Sequence, residues 1–511
     1  MKRPLLSAIS GFILVLAFPP AGVGILAWFA LIPLLFALDG ANRKQGLVCG
    51  YVFGVAFFLS TVYWVIHSMY YFGGVPLAIS VLAMLLMVAY LSIYTALFGF
   101  LAACARTLSP VWRLLLFPVF WTAAEYLRGH LFTGFPWVLA GYSQASYLPV
   151  IQVADITGVW GVSFLVVLVN AALYLAARHF IKRDGLFPAR EVAIAAVVVV
   201  AVLAYGFIRI GQTDKAAEGW PAIRAAVAQG SIDQSMKWDA SFQERTLDIY
   251  GRLSIEASAG GAHLVVWPET AVPFFFDAER IEGGRVGEVA RATGTYLLTG
   301  VPSYNYNRYG KPGYFNSAYL ISPAGEAAGR YDKSHLVPFG EYIPFKRFLP
   351  FLKKLTEGVG DFSAGPGAVP ISFKGGGIGV LICYESIFPE IAAASVRNGS
   401  TILVNITNDA WFGRTSAPHQ HFEMSILRAV ENKVFLLRAA NTGISAVIGP
   451  AGRVIKRTAL FEKAVLVEDV ALRQGPITVY SRYGDVFAWA CVSLAAVFVL
   501  SGLIKRRGFD V

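Results

Sequence analysis

Apolar stretches constrain this chain more than any other feature, because each is long enough, or nearly long enough, to cross a bilayer. Seven lie before residue 210 and one after residue 483, at 5–19, 23–38, 47–66, 76–104, 110–126, 155–177, 191–210 and 485–504. Charged residues make up only 15% of the chain, against about 25% in ordinary globular proteins. We therefore predict a polytopic α-helical membrane protein with about eight transmembrane helices.

Basic residues concentrate in alternate loops between these stretches. Thirteen Lys or Arg residues lie on one side, with only Arg128 and Arg209 on the other. The positive-inside rule then predicts that both termini are cytoplasmic and that the long stretch before the last span lies outside the cytoplasm. Residues 210–483 hold 28 basic and 25 acidic residues, so most of the net charge of +11 belongs to the apolar parts of the chain, where basic residues flanking spans indicate topology and not nucleic-acid binding.

The composition predicts three parts: a transmembrane domain at 1–210, an external catalytic domain at 211–483, and a final helix with a cytoplasmic tail at 484–511. The external part alternates short apolar runs with helix-like stretches at 240–258 and 419–433, which indicates an α/β fold. The predicted strands are 223–228, 263–267, 296–298, 378–382 and 401–406.

Polar residues directly follow several of these strands, and their types suit attack on a carbonyl group. Cys383 is the only cysteine of the external part and offers a nucleophile. Glu269 could act as its base, and Lys333 could stabilise the oxyanion that forms. Glu341 could orient the lysine or carry a proton. Taken singly, each of these residues is also compatible with an ordinary surface ion or a buried structural cysteine.

Five runs of sequence narrow the interpretation: VWPE at 266–269, VPFGEY at 337–342, CYE at 383–385, NDAWFG at 408–413 and RAANTG at 438–443. With Lys333, these runs resemble the Glu-Lys-Cys constellation of the nitrilase, or carbon–nitrogen hydrolase, superfamily. Together with the apolar spans, they make nearly the whole chain similar to the bacterial apolipoprotein N-acyltransferases.

The resemblance implies an external αββα sandwich on a membrane anchor in the bacterial inner membrane, with the sandwich in the periplasm. It implies transfer of a fatty acyl chain from a phospholipid, phosphatidylethanolamine above all, to the N-terminal diacylglyceryl cysteine of lipoproteins, the last step of their maturation. Cys383 would form a thioester, with Glu269 as base and Lys333 stabilising the intermediate together with a backbone N–H near Tyr384. Glu341, Tyr384, Glu385 and Trp238 match further functional positions. No cofactor and no metal are implied.

Apolar side chains crowd the region after Glu341. They are Phe339, Tyr342, Ile343, Phe345, Phe348, Leu349, Phe351 and Leu352. The two roles considered for this cluster below apply equally to Trp411 and Phe412. We expect Phe339, Tyr342, Trp411 and Trp238 to bind substrate. The apolar cluster could enter the lipid as a lid or could pack against the core of its own domain, and the sequence favours neither.

Two other functions stay open at this point. One is a membrane-anchored amidase or nitrilase, in which water resolves the acyl-enzyme. The other is a receptor or transporter whose external domain is catalytically silent. Joint presence of Glu269, Lys333 and Cys383 argues against the second, and the leading apolar spans favour a lipid substrate over the first.

Overall fold

The computed structural model describes residues 2–183, 186–234, 240–275, 284–306, 312–343 and 362–507. The chain divides into two compact units. The first consists of Met1–Ile66, Leu77–Ile210 and Tyr483–Val511, and the second of His67–Pro76 and Gly211–Arg482. A ten-residue segment from the apolar N-terminal half therefore belongs to the second unit, which the composition did not predict.

The α-helices, in chain order, are α1 (Lys2–Val15), α2 (Ile32–Leu38), α3 (Arg43–Thr61), α4 (Trp64–His67), α5 (Leu77–Cys104), α6 (Pro110–His130), α7 (Leu148–Ile151), α8 (Ala154–Thr157), α9 (Val159–Lys182), α10 (Ala189–Glu218), α11 (Ala240–Ala259), α12 (Arg285–Thr293), α13 (Pro389–Arg397), α14 (Ala417–Asn432), α15 (Val479–Tyr483) and α16 (Val486–Arg507). Among the described residues, three helices are long and apolar enough to cross a membrane: Leu77–Thr107, α9 and α10. Arg43–Thr61 and Trp64–Phe72, joined at a bend, make a fourth if they count as one span. The count of eight spans stays a prediction.

The predicted span 23–38 is not one continuous helix. It forms a short 3-10 helix, Gly24–Trp28, followed by α2. The buried side chain of Asn170, on α9, bonds the backbone at the break: its amide donates to the carbonyl of Ala27 and its oxygen accepts from the N–H of Leu31, both over 2.8 Å. Backbone freed inside an apolar unit needs such partners, because lipid offers none.

Helices α3 and α5 approach each other through a stripe of glycines. Gly46, Gly50 and Gly54 recur every fourth residue on α3. A Cβ on Gly50 would lie 2.2 Å from the carbonyl oxygen of Thr95. The small-residue spacing therefore permits backbone contact that any larger residue would block, as in other closely packed membrane helices.

The second unit contains two six-stranded sheets. One has the order β12-β1-β2-β3-β4-β5 and the other β11-β10-β9-β8-β7-β6. The strands are β1 (Ala222–Gln229), β2 (Leu264–Val266), β3 (Tyr296–Tyr306), β4 (Pro312–Ile321), β5 (Ala327–Asp332), β6 (Ile371–Phe373), β7 (Gly376–Ile382), β8 (Ser400–Thr407), β9 (Leu436–Ala440), β10 (Ala446–Ile448), β11 (Val454–Arg457) and β12 (Ala464–Ala471). All five predicted strands and both predicted helices are confirmed, with shifted ends.

Side-chain alternation along the strands builds four layers. Ala225 and Val227 of β1 pack between the two sheets with Val380 of β7, whereas Ala226 faces outward onto Leu247 of α11. Helices α13 and α14 contact the other sheet. Because successive strand residues point to opposite faces, each sheet buries one face on the other sheet and one on helices. The predicted αββα sandwich is confirmed.

Candidate active site

Three predicted residues follow strands of the sandwich at their carboxyl ends. Glu269 follows β2, Lys333 follows β5 directly, and Cys383 follows β7 directly. The backbone at Glu269 passes close to β3, where a Cβ on Gly300 would lie 2.6 Å from the Glu269 Cα. The sequence thus supplies a glycine at the position where a larger residue would displace the carboxylate.

Lys333, Glu341 and Glu269 form a buried group that we call the lysine cluster. The Lys333 Nζ lies 2.9 Å from Glu341 Oε1 and 3.9 Å from Glu269 Oε1. Lys333 is 1% exposed, so its ammonium depends on these carboxylates and not on water. Burial lowers the pKa of Lys333, but the negative charges of Glu341 and Glu269 raise it to a value above the ordinary one. The lysine is therefore a cation at neutral pH.

Asn316, on β4, joins the two carboxylates and was missed by the sequence prediction. Its amide nitrogen donates to Glu269 Oε1 over 2.7 Å and to Glu341 Oε1 over 2.9 Å. Its backbone carbonyl accepts from the Lys333 N–H over 2.8 Å. The other oxygen of Glu269 accepts from the backbone N–H of Asn408 over 2.9 Å. The Glu269 carboxylate is thus held by fixed donors on both oxygens.

Cys383 lies at a strained elbow between β7 and the 3-10 helix Cys383–Ile387. Its φ is +51°, a left-handed conformation that is uncommon for residues other than glycine. Burial raises the pKa of the thiol and the Glu269 charge raises it further, which outweighs the opposing effect of Lys333. The resting group is a neutral thiol, so attack on a carbonyl requires a base at the moment of reaction.

Glu385 connects the elbow at Cys383 to the segment that follows Lys333. It is fully buried, and one of its oxygens accepts from the backbone N–H of Ile382 over 2.8 Å. The other accepts from the backbone N–H of Ser334 over 2.7 Å and from the Tyr331 hydroxyl over 2.8 Å. Ile382 directly precedes Cys383, and Ser334 directly follows Lys333. Because Glu385 binds both, it fixes the distance between the cysteine and the lysine.

A second buried group, Arg438 with Asp409 and His421, is called the arginine cluster. Arg438 Nη2 lies 2.7 Å from Asp409 Oδ2 and 3.0 Å from His421 Nδ1. Burial raises the pKa of Asp409, but the Arg438 charge lowers it to about 2. The Thr407 hydroxyl donates to the same carboxylate over 2.9 Å. The sequence prediction did not include His421, because its place beside Cys383 depends on packing between distant segments.

The supporting residue Tyr384 and the predicted substrate-binding residues are spread over several places. Tyr384 packs its ring against His335 and Phe388, at centroid distances of 5.9 and 5.0 Å. Phe339 has a φ of +63° and is 42% exposed, and its N–H donates to the Tyr342 carbonyl over 2.8 Å. Trp238 and the apolar residues Phe345, Phe348, Leu349, Phe351 and Leu352 lie outside the described residues.

Trp411 contacts the segment His67–Pro76. The Ser68 hydroxyl donates to the Trp411 carbonyl over 2.8 Å, and the Phe72 ring lies 5.7 Å from the Trp411 ring. At Gly413, where φ is +57°, a Cβ would lie 2.2 Å from the His67 ring. This contact gives Trp411 a structural role that the sequence prediction did not include.

Comparison with known proteins gives matches to both parts of the chain. Residues 10–172 match a family described as the apolipoprotein N-acyltransferase N-terminal domain, and residues 224–475 match the carbon-nitrogen hydrolase family. Among solved structures, the chain is similar to an amidase of the nitrilase superfamily from Nesterenkonia, with 23% identity over 49% of this chain and 90% of that one, at a TM-score of 0.36. The NitFhit protein of C. elegans shows 20% identity over 49% and 61%, at a TM-score of 0.38.

Curated relatives cover nearly the whole chain. An apolipoprotein N-acyltransferase of Geobacter metallireducens is 45% identical over 98% of this chain and 95% of its own length. Those of Haemophilus ducreyi and Pseudomonas aeruginosa are each 34% identical, over 98% of this chain and 97% and 96% of their own lengths. Because the identity extends through both the apolar half and the sandwich, this chain belongs to the apolipoprotein N-acyltransferase family.

Proposed function

We propose that this protein transfers a fatty acyl chain from a phospholipid to the α-amine of the diacylglyceryl cysteine at a lipoprotein N-terminus. The observation that carries the proposal is the lysine cluster, a buried ammonium between two carboxylates beside a cysteine elbow. This arrangement suits acyl transfer through a thioester, and the full-length relatives are named for that activity.

In the first half-reaction, Glu269 takes the Cys383 proton as the sulfur attacks the carbonyl carbon of the phospholipid ester. The negative charge that develops on the carbonyl oxygen is met by the Lys333 ammonium and by the N–H of Tyr384. Collapse of this intermediate breaks the carbon–oxygen bond, and the leaving lysophospholipid oxygen receives the proton from Glu269. The acyl chain remains on Cys383 as a thioester.

In the second half-reaction, the neutral α-amine of the lipoprotein attacks the thioester carbonyl and gives a proton to Glu269. The carbon–sulfur bond breaks, and the cysteine sulfur takes that proton back. Because both acyl transfers use one site in turn, ping-pong kinetics follow. Glu341 keeps Lys333 in place, and Glu385 keeps the cysteine elbow at a fixed distance from it.

A membrane position suits both substrates, because each buried CH₂ group costs about 0.8 kcal/mol to expose to water. The eight apolar stretches act as transmembrane helices in the inner membrane, with both termini in the cytoplasm and the sandwich in the periplasm. Phosphatidylethanolamine is the acyl donor.

Fusions to alkaline phosphatase test this orientation. A fusion near residue 184 should be inactive and a fusion near residue 219 should be active, and the reverse pattern would refute the orientation.

Intact-protein mass spectrometry after incubation with phosphatidylethanolamine tests the chemistry, with Cys383→Ala as the control. We expect a fatty-acyl mass gain that hydroxylamine removes and that the Cys383→Ala protein lacks. A diacylated lipopeptide with a free α-amine should then discharge the acyl group and gain its mass. Discharge by water alone would favour an amidase-like hydrolase, and no adduct on folded protein would overturn the proposal.

A further inference from the structure

Two buried side chains converge on the backbone carbonyl oxygen of Cys383. The Ser386 hydroxyl donates to it over 3.0 Å, and His421 Nε2 lies 3.2 Å from it and 2.8 Å from Ser386 Oγ. Both residues are at most 1% exposed. The acyl-transfer steps proposed above use neither side chain.

The position of the His421 proton follows from its neighbours. A carbonyl oxygen can only accept, so the contact with Cys383 is a hydrogen bond when Nε2 carries the hydrogen, and we assign it there. Nδ1 lies 3.0 Å from both Arg438 Nη2 and Asp409 Oδ1. A neutral ring accepts from Arg438 there, and burial with the Arg438 charge lowers the pKa of His421 accordingly. A protonated ring also carries a hydrogen on Nε2 and keeps the bond toward Cys383, whereas a neutral ring with its hydrogen on Nδ1 would donate to Asp409 and lose that bond.

The carbonyl of Cys383 and the N–H of Tyr384 belong to one peptide group, which is planar and trans. In a trans peptide the oxygen and the amide hydrogen point in opposite directions. Donors that fix the oxygen on one side therefore fix the direction of the hydrogen on the other. This constraint matters here because the left-handed backbone conformation of Cys383 is strained and persists only when neighbouring groups hold it in place.

We propose that His421, assisted by Ser386, is a positioning residue that aims the Tyr384 N–H at the oxyanion formed during acyl transfer. The inference rests on the proposed function only in taking Tyr384 N–H as the oxyanion donor. Hydrogen bonds aimed at developing charge contribute only when their direction is set before the reaction. His421 acts through the peptide group and does not touch the reacting atoms.

Two reagents that modify Cys383 separate this role from a general effect on the thiol. The first reagent, p-nitrophenyl butyrate, acylates the cysteine sulfur through a tetrahedral oxyanion. The carbon–sulfur bond forms as the thiol proton passes to Glu269, and nitrophenolate then leaves. Iodoacetamide alkylates sulfur by displacing iodide at a saturated carbon, which creates no oxyanion. Both rates are measured on the full chain in detergent with Cys49, Cys104 and Cys491 replaced by alanine.

We expect His421→Ala to slow acylation about 10–100-fold while alkylation changes less than about twofold. His421→Gln should restore most of the rate, because its amide nitrogen can occupy the place of Nε2 and donate. His421→Asn is too short to reach and should not. Ser386→Ala should slow acylation several-fold, and His419→Ala, which removes a half-buried imidazole from the same helix, should leave both rates unchanged.

The inference is overturned if acylation and alkylation fall together in folded His421→Ala and Ser386→Ala proteins, or if neither rate falls. The Ser386→Ala variant keeps the test valid if His421→Ala does not fold. Because the nitrophenyl ester needs no phospholipid, the two proposals can fail separately. A wild-type protein that accepts the ester but not phosphatidylethanolamine would overturn the proposed function and leave the role of His421 intact.

Discussion

The lysine cluster and the arginine cluster are both buried beside Cys383 and both pair a cation with carboxylate, yet their hydrogen bonding differs. Lys333 has one close carboxylate at 2.9 Å and a second at 3.9 Å. The Arg438 guanidinium reaches acceptors on every side, namely Asp409, Asn405, Ser425, His421 and the carbonyl of Ile444.

This difference shows that two buried ion pairs near the same cysteine can suit different tasks. The lysine ammonium can turn toward a new negative charge without leaving its nearest partner, so it suits a site where charge develops. The arginine is held by planar, directional bonds and suits a frame that must not move. The predictions below alter one cluster at a time, in order of decreasing effect.

Arg438→Met should chiefly destabilise the fold, because it leaves Asp409 buried without its cation. Breaking a buried pair in this way costs about 3–5 kcal/mol, which should appear as a lower melting temperature in detergent. Arg453→Met is the matched control: Arg453 pairs with Asp214 at a largely exposed site, so its loss should cost less than about 1 kcal/mol. Equal melting temperatures for the two variants would contradict the comparison.

Lys333→Met should chiefly impair chemistry. Loss of an oxyanion-stabilising group lowers the rate of thioester formation about 10²–10³-fold, measured by mass gain on folded protein. Lys333→Arg should not restore the rate, because the planar guanidinium cannot occupy the same position between Glu341 and Glu269. Lys463→Met, at an exposed site, serves as the control, and a normal rate in Lys333→Met would refute the role of the ammonium.

Asp409 makes stability depend on pH in the acid range. Its pKa in the folded protein is about 2, below the ordinary value of 3.8, so its stabilising contribution is complete above pH 3.8 and is lost as the pH falls toward 2. The shift corresponds to about 2 kcal/mol. The difference in melting temperature between wild type and Asp409→Asn should therefore be constant above pH 4 and shrink below it. A difference that stays constant down to pH 2 would count against this pairing.

Asn316→Ala should have the smallest effect, about a tenfold slower thioester formation, because it removes the amide hydrogen bonds to Glu269 and Glu341. The melting temperature should change little by comparison with Arg438→Met. Asn398→Ala offers a control in which an exposed amide loses a bond to the carbonyl of Ala368. An unchanged rate in Asn316→Ala would mean that Glu269 and Glu341 hold their places without it.

The sequence predicted the parts of the site that follow apolar strands. Glu269 and Cys383 could be found because each follows a predicted buried strand. Lys333 follows β5, a strand with one buried residue that was not predicted, and was found through the resemblance to the family. Asn316 could not, since it lies inside β4 and reaches the site only through the pairing register with β3, where it faces Pro302. Arg438 and Asp409 are 29 residues apart and meet only because β8 and β9 are neighbours.

The apolar half shows the same limit. Hydropathy located α5 closely, because that helix is apolar throughout. It found only the apolar part of α10, which continues to Glu218 beyond the predicted end at 210. It could not predict the break after Trp28, because the side chain that satisfies the freed backbone, Asn170, comes from a helix far along the chain. Local pattern therefore predicts elements, and contacts between distant elements decide where they bend.

The packing of His67–Pro76 against Trp411 has a practical consequence for dissecting this protein. A fragment excised at residues 211 and 482 would look like a self-contained soluble enzyme by sequence, but it would lack the partner of Trp411 and leave the aromatic rings there bare. Gly413 lacks a Cβ that would collide with the His67 ring, and without that ring it would lie beside an unfilled space. A cut at the boundary that hydropathy suggests therefore removes a segment that packs within the same compact unit.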